Sequence, residues 1–220
     1  MCAQRPGLVN RKPPYACGMW PRYIDEQLIV VDKPAGLLAV PGRSEPDCAA
    51  ARVQARWPDA RVVHRLDMAT SGLLVLARGA EMQRRLSQAF AARGVHKRYV
   101  AVVHGQVQGE HGEIDLPLAA DWPRRPRQQV DPVHGKPSLT RWRVLARDAA
   151  AGTTRLALEP VTGRSHQLRV HMLACGHPIV GDALYGPPLP PPRLLLHAEH
   201  LALAHPYDGR PVSFDSPAPF

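Results

Sequence analysis

Short apolar runs separated by polar turns make up most of the sequence, and this pattern predicts more strands than helices. Residues 97–103 alternate in polarity, which places Tyr99 and Ala101 on one face of a strand. Residues 141–145 and 153–159 flank a turn-prone segment and are expected to pair as antiparallel strands. The predicted strands lie at residues 28–33, on both sides of a loop within 62–77, and at 97–103, 112–118, 141–145, 153–159 and 194–204.

Three stretches are predicted to be helices, and in residues 79–94 the apolar side chains of Met82, Leu86, Ala89 and Phe90 recur at helical spacing. The first is closed by Pro58 and the second by Gly94, while the third has Ser165 as its capping residue and Gly176 after its last turn. These predicted helices span residues 48–57, 79–94 and 166–175.

The links between these elements indicate the fold class. Strands follow one another through hairpin-length links more often than through helices, so we expect an α+β fold with a largely antiparallel, mixed central sheet flanked by helices and loops. The length of 220 residues fits one domain. Residues 1–22 mix prolines and basic residues with little periodicity, so they are expected to be a flexible leader before a domain at 23–220.

The loop within Val62–Ala77 holds the most suggestive polar residues of the chain. The sequence VVHRLDMATSGLLVLA encloses His64, Arg65 and Asp67 between two apolar runs. A carboxylate and a guanidinium two residues apart, raised between buried strands, can hold each other ionised beside a ligand.

The charge balance indicates the class of partner. The formal net charge is +9 and the pI is about 9.9, which favours a polyanion, because arginine and lysine release counterions when they neutralise phosphates. Nucleic acid is therefore the leading partner class. Arginine outnumbers lysine strongly, which suits phosphate and base contacts, although a codon preference for arginine explains the same skew.

The cysteines and the apolar runs exclude several other classes. Four scattered cysteines without a Cys-x-x-Cys pair, and no secretory signal, predict a reduced, cytoplasmic protein without a zinc cluster. No apolar run approaches the roughly 20 residues that a membrane-spanning helix needs.

The histidines raise the alternative of a metal-dependent nuclease. His166 and His171 are five residues apart on the predicted helix, whereas two ligands on one helical face require a spacing of three or four. The spacing therefore disfavours a metal site, and no metal ligands are predicted. Neither a Gly-x-Ser-x-Gly elbow nor a phosphate-binding Gly-Lys loop is present, so a serine nucleophile and nucleotide hydrolysis are also disfavoured.

The remaining candidates for chemistry are Asp67, Tyr99 and Arg169. Each has a structural explanation when taken alone, because Asp67 can cap its turn, Tyr99 can lie in the core and Arg169 can bind a structural carboxylate. Residue types alone leave both explanations open.

Four segments in order resemble the RluA-type pseudouridine synthases, from about Asp25 to the C-terminus. They are HRLDMATSGLLVLA at 64–77, KRYVAVVHG at 97–105, TGRSHQLRVHMLACGHPIVGDALYG at 162–186 and RLLLHAEHLAL at 193–203. Within that family, KPAGLLAVPGR at 33–43, HRLDMATSG and DWPRRPRQQV at 121–130 resemble the dual-specificity subtype that acts on rRNA and tRNA. The resemblance implies an active cleft across the sheet and no S4-like domain.

The resemblance also implies roles for individual residues. Asp67 matches the essential aspartate, which attacks the ribose or removes a proton from it, and Arg169 matches the arginine that keeps this carboxylate ionised. Tyr99 matches the tyrosine that packs on the uracil and is placed to remove the C5 proton. Arg65 matches the arginine that fills the space of the flipped nucleotide, and Leu168 would line the pocket under the base.

The implied substrate is structured RNA, in a tRNA anticodon stem-loop and a large-subunit rRNA hairpin. No cofactor is implied, because the product is an isomer of the substrate. The remaining expected substrate contacts come from His64, Arg164, His166, Arg124 and Arg125. We also expect a monomer that binds neither membranes nor DNA, and the alternative is a non-catalytic RNA-binding or chaperone module with the same fold.

Overall fold

The computed structural model describes residues 21–187 and 193–220, which contain a ten-stranded sheet, a separate two-stranded sheet, three α-helices and one 3-10 helix. Residues 1–20 of the predicted leader lie outside the described residues, and its last two residues belong to the first strand. In chain order the elements are β1 (Pro21–Ile24), β2 (Leu28–Lys33), α1 (Ala49–Gln54), β3 (Ala60–Val62), β4 (Ser71–Arg78), α2 (Gly79–Ala91), β5 (His96–His104), β6 (His111–Asp115), β7 (Leu118–Ala120), a 3-10 helix (Trp122–Arg124), β8 (Gln128–Val130), β9 (Leu139–Asp148), β10 (Thr153–Pro160), α3 (Gln167–Ala174), β11 (Leu196–Ala204) and β12 (Pro211–Asp215).

The large sheet runs in the order β1-β2-β4-β11-β5-β10-β9-β6, with β3 paired to β4 and β12 to β11. Its described pairs are antiparallel except for β4 and β11, where Ser71 lies opposite His197 and Gly72 opposite Ala198. A Cβ on Gly72 would lie 2.3 Å from the carbonyl oxygen of Ala198, so only glycine allows this approach. The α+β fold with a largely antiparallel, mixed sheet is the one that the sequence predicts.

The central strand β4 packs helices on both faces of the sheet because its side chains alternate. Leu74 and Leu76 join the core cluster that includes α1, whereas Leu73 and Val75 join the cluster that includes Leu86 of α2. Each of these four leucine and valine side chains is almost fully buried, which explains why the run reads as continuously apolar.

Helix α3 covers a third cluster, beside strands β5 and β10. Leu168 and Met172 of α3 pack with Ala101, Val103 and Leu156. Tyr99 contacts both this cluster and the one at α1. The predicted face of β5 with Tyr99 and Ala101 is therefore confirmed.

Several local predictions hold and others need correction. Strand β2 and the β9–β10 pair lie where the sequence predicts them. The strand predicted at 112–118 is split into β6 and β7, and the second of these pairs with β8 in the small sheet. The end predicted for the second helix at Gly94 comes earlier, because Arg93 adopts the left-handed conformation with φ 61° and Gly94 donates back to Ala89.

The prediction of Ser165 as the cap of the third helix is wrong. The capping position is His166, which has φ 53° and ψ 16° and forms no side-chain capping bond, and the helix begins at Gln167. Gln167 occupies the turn instead, since its Oε1 accepts hydrogen bonds from the Arg164 amide and the Thr162 hydroxyl. The chain therefore enters α3 through a left-handed turn at His166.

None of the helices in the described ranges is both long and apolar enough to cross a membrane.

Candidate active site

The loop between β3 and β4 carries Asp67, and a buried lysine holds that loop in place. The Nζ of Lys33, at the end of β2, donates to the carbonyl oxygens of Pro34, Leu37 and Met68 at 2.9, 2.7 and 3.1 Å. Met68 follows Asp67 directly, so the lysine fixes the backbone beside the carboxylate. Burial lowers the pKa of Lys33 to about 8, although the charge of Asp67 opposes this shift.

Arg169 of α3 links the Asp67 loop to a second carboxylate. Its Nη1 lies 3.3 Å from Oδ2 of Asp67, while its Nε and Nη2 donate to the two oxygens of Asp182 at 2.7 Å each. Only 5% of the Arg169 side chain is exposed. Burial opposes the charge of Arg169, but the hydrogen bond and charge of Asp182 outweigh it and raise the pKa of the guanidinium.

Asp182 is an anchor rather than a free acid. None of its side chain is exposed, and its Oδ1 also accepts the backbone amides of Leu184 and Tyr185 at 3.0 and 3.1 Å. This bidentate pair fixes the guanidinium plane, so its remaining nitrogen points at Asp67. Asp67 itself has 28% of its side chain exposed, which leaves its carboxylate open to a ligand.

His166 lies on the other side of the Asp67 carboxylate. Its Nε2 is 3.9 Å from Oδ1 of Asp67, and its Nδ1 is 2.7 Å from the hydroxyl of Tyr185. Burial lowers the pKa of His166, and Arg169 adds to that effect, while Asp67 and Asp182 oppose it.

Tyr99 and Leu168 supply apolar surface at the same face of the sheet. Leu168 is buried in the cluster that Tyr99 contacts. Burial, together with the charge of Asp67, raises the pKa of Tyr99, so its phenol is neutral at ordinary pH. The structure thus brings Asp67, Tyr99, Leu168 and Arg169 together around one region.

The two other predicted residues of the HRLD segment differ in their surroundings. His64 stacks on Phe90 of α2 with ring centroids 4.4 Å apart, and its Nε2 accepts the amide of Val75 at 3.0 Å. Burial lowers the pKa of His64 to about 3, so the ring is neutral and holds the loop to β4. Arg65 is exposed and forms no hydrogen bond or ion pair with any described residue. A substrate contact stays a prediction for both residues.

The predicted arginines outside this centre are exposed, in the 3-10 helix and the turn that follows it and in the irregular segment before α3. Arg164 donates from Nε to the Pro137 carbonyl at 3.3 Å. Arg124 pairs with Asp121 at 2.7 Å, and the guanidinium of Arg125 lies 3.5 Å from the centroid of the Trp122 ring, whose residue is 68% exposed. These contacts leave the RNA role of the arginines as a prediction.

The histidines that suggested a metal site are engaged in other hydrogen bonds. His171 contacts the Thr140 hydroxyl and the Leu116 carbonyl, at 2.9 and 3.0 Å. His177 contacts the carbonyl of His104 at 2.9 Å. Among residues 21–187 and 193–220, no group of three metal-ligating side chains comes together.

Three residues of this site were not singled out by sequence reasoning. Lys33, Asp182 and Tyr185 all lie in segments that resemble the family, KPAG and GDALYG, but each residue type is common at surfaces and turns. The similarity of these segments to the family was the only feature of the sequence that could have drawn attention to the three residues. Their importance is visible only in the contacts that the fold creates.

A comparison with protein families agrees with this geometry. The family described as RNA pseudouridylate synthase matches residues 27–174, which include the Asp67 loop, Tyr99 and Arg169. The chain belongs to this family, and it is an isomerase that forms pseudouridine in RNA. The resemblance stated from the sequence motifs is confirmed.

The relatives place the chain more finely within the family. The dual-specificity RNA pseudouridine synthase RluA of Escherichia coli (strain K12) is 48% identical over 219 residues, which cover 97% of this chain and all of the relative. The protein of the same name from Haemophilus influenzae (strain ATCC 51907 / DSM 11121 / KW20 / Rd) is 44% identical over 218 residues, covering 97% of this chain and 99% of the relative. Among solved structures, human RNA pseudouridylate synthase domain containing 1 has a TM-score of 0.79 and 30% identity, covering 96% of this chain and 87% of that chain.

Proposed function

We propose that this enzyme isomerises uridine in structured RNA loops, and that it uses both a tRNA anticodon stem-loop and a 23S rRNA hairpin. The name dual-specificity RNA pseudouridine synthase, carried by relatives that are 44% and 48% identical over nearly the whole chain, supports this choice. The three subtype segments at 33–43, 64–72 and 121–130 support it too.

Asp67 is the catalytic carboxylate in this proposal, and one observation carries it. The only strongly buried cation that reaches the partly exposed Asp67 among the described ion pairs is Arg169, which Asp182 already fixes. An ionised carboxylate with one side open can attack the sugar or remove a proton from it, and either route breaks the N1–C1′ bond. The freed uracil then rotates and rejoins through C5.

Tyr99 packs on the target uracil in this proposal. Its phenol is neutral, because burial and Asp67 raise its pKa, so the ring enters the reaction as apolar surface. If Tyr99 takes the C5 proton at the end of the reaction, its own hydroxyl proton must first be transferred to another proton acceptor. Packing on the uracil and removal of the C5 proton are therefore two separable roles.

Nucleotide flipping is assigned to the exposed Arg65 in this proposal. A guanidinium that forms no pair with a described residue is available to stack in the space that the uridine leaves. The exposed Arg124, Arg125 and Arg164 hold the RNA backbone on the surrounding surface. Flipping costs a few kcal/mol, which an inserted cation offsets in part.

The test compares Asp67→Asn with a matched control, Asp47→Asn. Asp47 is an exposed carboxylate paired with Arg52, so Asp47→Asn changes the net charge by the same amount as Asp67→Asn without touching the site. Each variant is given tRNA and 23S rRNA stem-loops labelled with tritium at C5, and tritium release and RNA affinity are measured. Asp67→Asn is expected to bind both RNAs and release no tritium, while the control behaves as the native enzyme. Release by Asp67→Asn at the native rate would remove Asp67 from the mechanism.

The same assay decides the substrate range. Release from only one of the two native RNAs would contradict dual specificity while leaving the role of Asp67 intact. Mapping pseudouridines in RNA from cells with and without the protein identifies the individual uridines. We propose that the enzyme acts as a monomer in the cytoplasm, needs no cofactor and does not modify DNA. The molecular mass in solution tests the monomer, and turnover in the presence of a chelator tests whether a metal ion is needed.

A further inference from the structure

A chain of polar groups leads from the arginine-rich segment 121–130 to the carboxylate of Asp67. The backbone amide of Gln128 donates to the Tyr185 hydroxyl at 2.7 Å, and that hydroxyl lies 2.7 Å from Nδ1 of His166. The other ring nitrogen of His166, Nε2, faces Oδ1 of Asp67 at 3.9 Å. Two side chains therefore stand between the segment and the reactive group.

The direction of each hydrogen bond follows from the donors that are present. The Tyr185 oxygen accepts the Gln128 amide proton, so its own proton is available for Nδ1 of His166. The opposite arrangement, with the proton on Nδ1, would turn the lone pair of Nε2 toward a carboxylate, which is repulsive. The neutral ring is thus favoured with its proton on Nε2, directed at Asp67.

The surroundings hold this pair of side chains in one arrangement. The guanidinium groups of Arg127 and Arg169 both lie close to the Tyr185 ring, with their central carbons 5.2 and 5.0 Å from its centroid. It meets the His166 ring edge-on, at 5.6 Å and 82°. His166 adopts a left-handed backbone conformation that most side chains avoid, and this conformation sets the direction of its ring.

We propose that Tyr185 and His166 are positioning residues for the reaction. The Tyr185 hydroxyl fixes His166 in the Nε2–H form, and this N–H orients Oδ1 of Asp67 while Arg169 holds Oδ2. The gap of 3.9 Å closes to a hydrogen bond when the nucleotide enters, as catalytic contacts commonly tighten in the substrate complex. This inference rests on the proposed role of Asp67.

The first test removes only the hydroxyl. Tyr185→Phe keeps the ring beside the two arginines, and we expect kcat to fall about tenfold, the equivalent of one net hydrogen bond, with KM for RNA near its native value. The matched control is Tyr23→Phe, which removes a hydroxyl that is also hydrogen-bonded, to Asp25 at 2.6 Å, but on β1. Equal kcat for Tyr185→Phe and the native enzyme would overturn the proposal.

The second test determines which ring nitrogen of His166 carries the proton, and it does not depend on activity. Long-range ¹H–¹⁵N spectra of histidine-labelled protein distinguish the two neutral forms of an imidazole. The native enzyme is expected to show His166 with the proton on Nε2, and Tyr185→Phe is expected to show a mixture. A native ring with the proton on Nδ1 would overturn the proposal whatever the kinetics of the variant, including a variant that fails to fold.

A third measurement separates positioning from a purely structural role. In His166→Gln the amide nitrogen replaces Nε2 as a donor and no longer depends on Tyr185. We therefore expect His166→Gln to retain more activity than His166→Asn, and adding Tyr185→Phe to His166→Gln should change kcat little. A further tenfold loss in that double variant would contradict the inference. Turnover by Asp67→Asn at the native rate would instead remove Asp67 from the mechanism, so the two failures are distinguishable.

Discussion

Nη1 of Arg169 lies 3.3 Å from Oδ2 of Asp67, although 102 positions separate the two residues in the sequence. The rest of the guanidinium is bound to Asp182, so it does not need to move when a ligand arrives. The counter-charge of the Asp67 loop is therefore fixed in the free enzyme, which is the preorganisation that the proposed role of Asp67 requires.

Replacing Arg169 tests this arrangement through stability. Arg169→Met leaves the fully buried carboxylate of Asp182 without its cation, and the free energy of unfolding should fall by about 3–5 kcal/mol. Urea unfolding measures the change. Arg84→Met, in which the exposed pair with Glu81 is lost, should change stability by less than about 1 kcal/mol. Equal effects of the two substitutions would show that the buried pair does not anchor the helix.

Lys33→Met tests the lysine beneath the Asp67 loop. The substitution keeps the apolar stem but leaves three carbonyl oxygens without their donor, so the free energy of unfolding should fall by at least about 3 kcal/mol. Lys136→Met, at an exposed position, is the control. Thermal and urea unfolding should agree on the order of the two variants, and a variant at Lys33 as stable as the control would contradict the assignment.

The low pKa of His64 makes the stability of the fold depend on pH. The pKa of His64 is about 3 in the folded protein and ordinarily 6.5, so the unfolded chain binds a proton that the folded chain does not. Its contribution to stability is complete above about pH 6.5 and is lost as the pH falls toward 3. In His64→Gln the amide oxygen can still accept the Val75 amide, so urea unfolding between pH 7 and pH 4 should show a shallower decline than for the native protein. Parallel declines would mean that another group titrates.

If the arginines of the 121–130 segment contact RNA phosphates, replacing them should change how RNA affinity depends on salt concentration. Arg124→Ala and Arg125→Ala should each weaken binding to both RNAs and lower the slope of log affinity against log salt by about 1, if each guanidinium contacts one phosphate. Filter binding at several salt concentrations measures the slope. Arg210→Ala removes another exposed arginine, paired with Asp208, and should leave the slope unchanged. An unchanged slope for both segment variants would place the RNA elsewhere.

Local patterns were sufficient for the elements whose periodicity is strong. The alternation of β5 and the apolar runs of β2 and β4 depend on which face of a strand is buried, and this information is present in neighbouring residues. The parallel contact of β4 with β11 depends instead on residues 126 positions apart, such as Ser71 and His197. No local pattern encodes that pairing.

Some residues of the candidate site could likewise be predicted from the sequence, and others are brought together only by the fold. Asp67, Tyr99 and Arg169 could be proposed because their segments resemble a family, but the carboxylate that holds Arg169 could not, because Asp182 is brought to it only by the fold. A lysine in a sequence is normally expected at the surface. Lys33 is buried, and its burial is favourable only because three carbonyl oxygens converge on its amine. The left-handed conformation of His166 depends equally on its surroundings, since Ser165 is the better capping residue by type.

The enclosure of Lys33 gives the enzyme an internal reporter. Its amine has no exposed surface, so a water-borne acylating reagent reaches it only when the turn around Leu37 and Met68 opens. The rate at which this amine is labelled therefore measures how often the Asp67 loop opens. RNA bound at Asp67 should slow the labelling. The labelling rate of this one lysine therefore reports substrate binding.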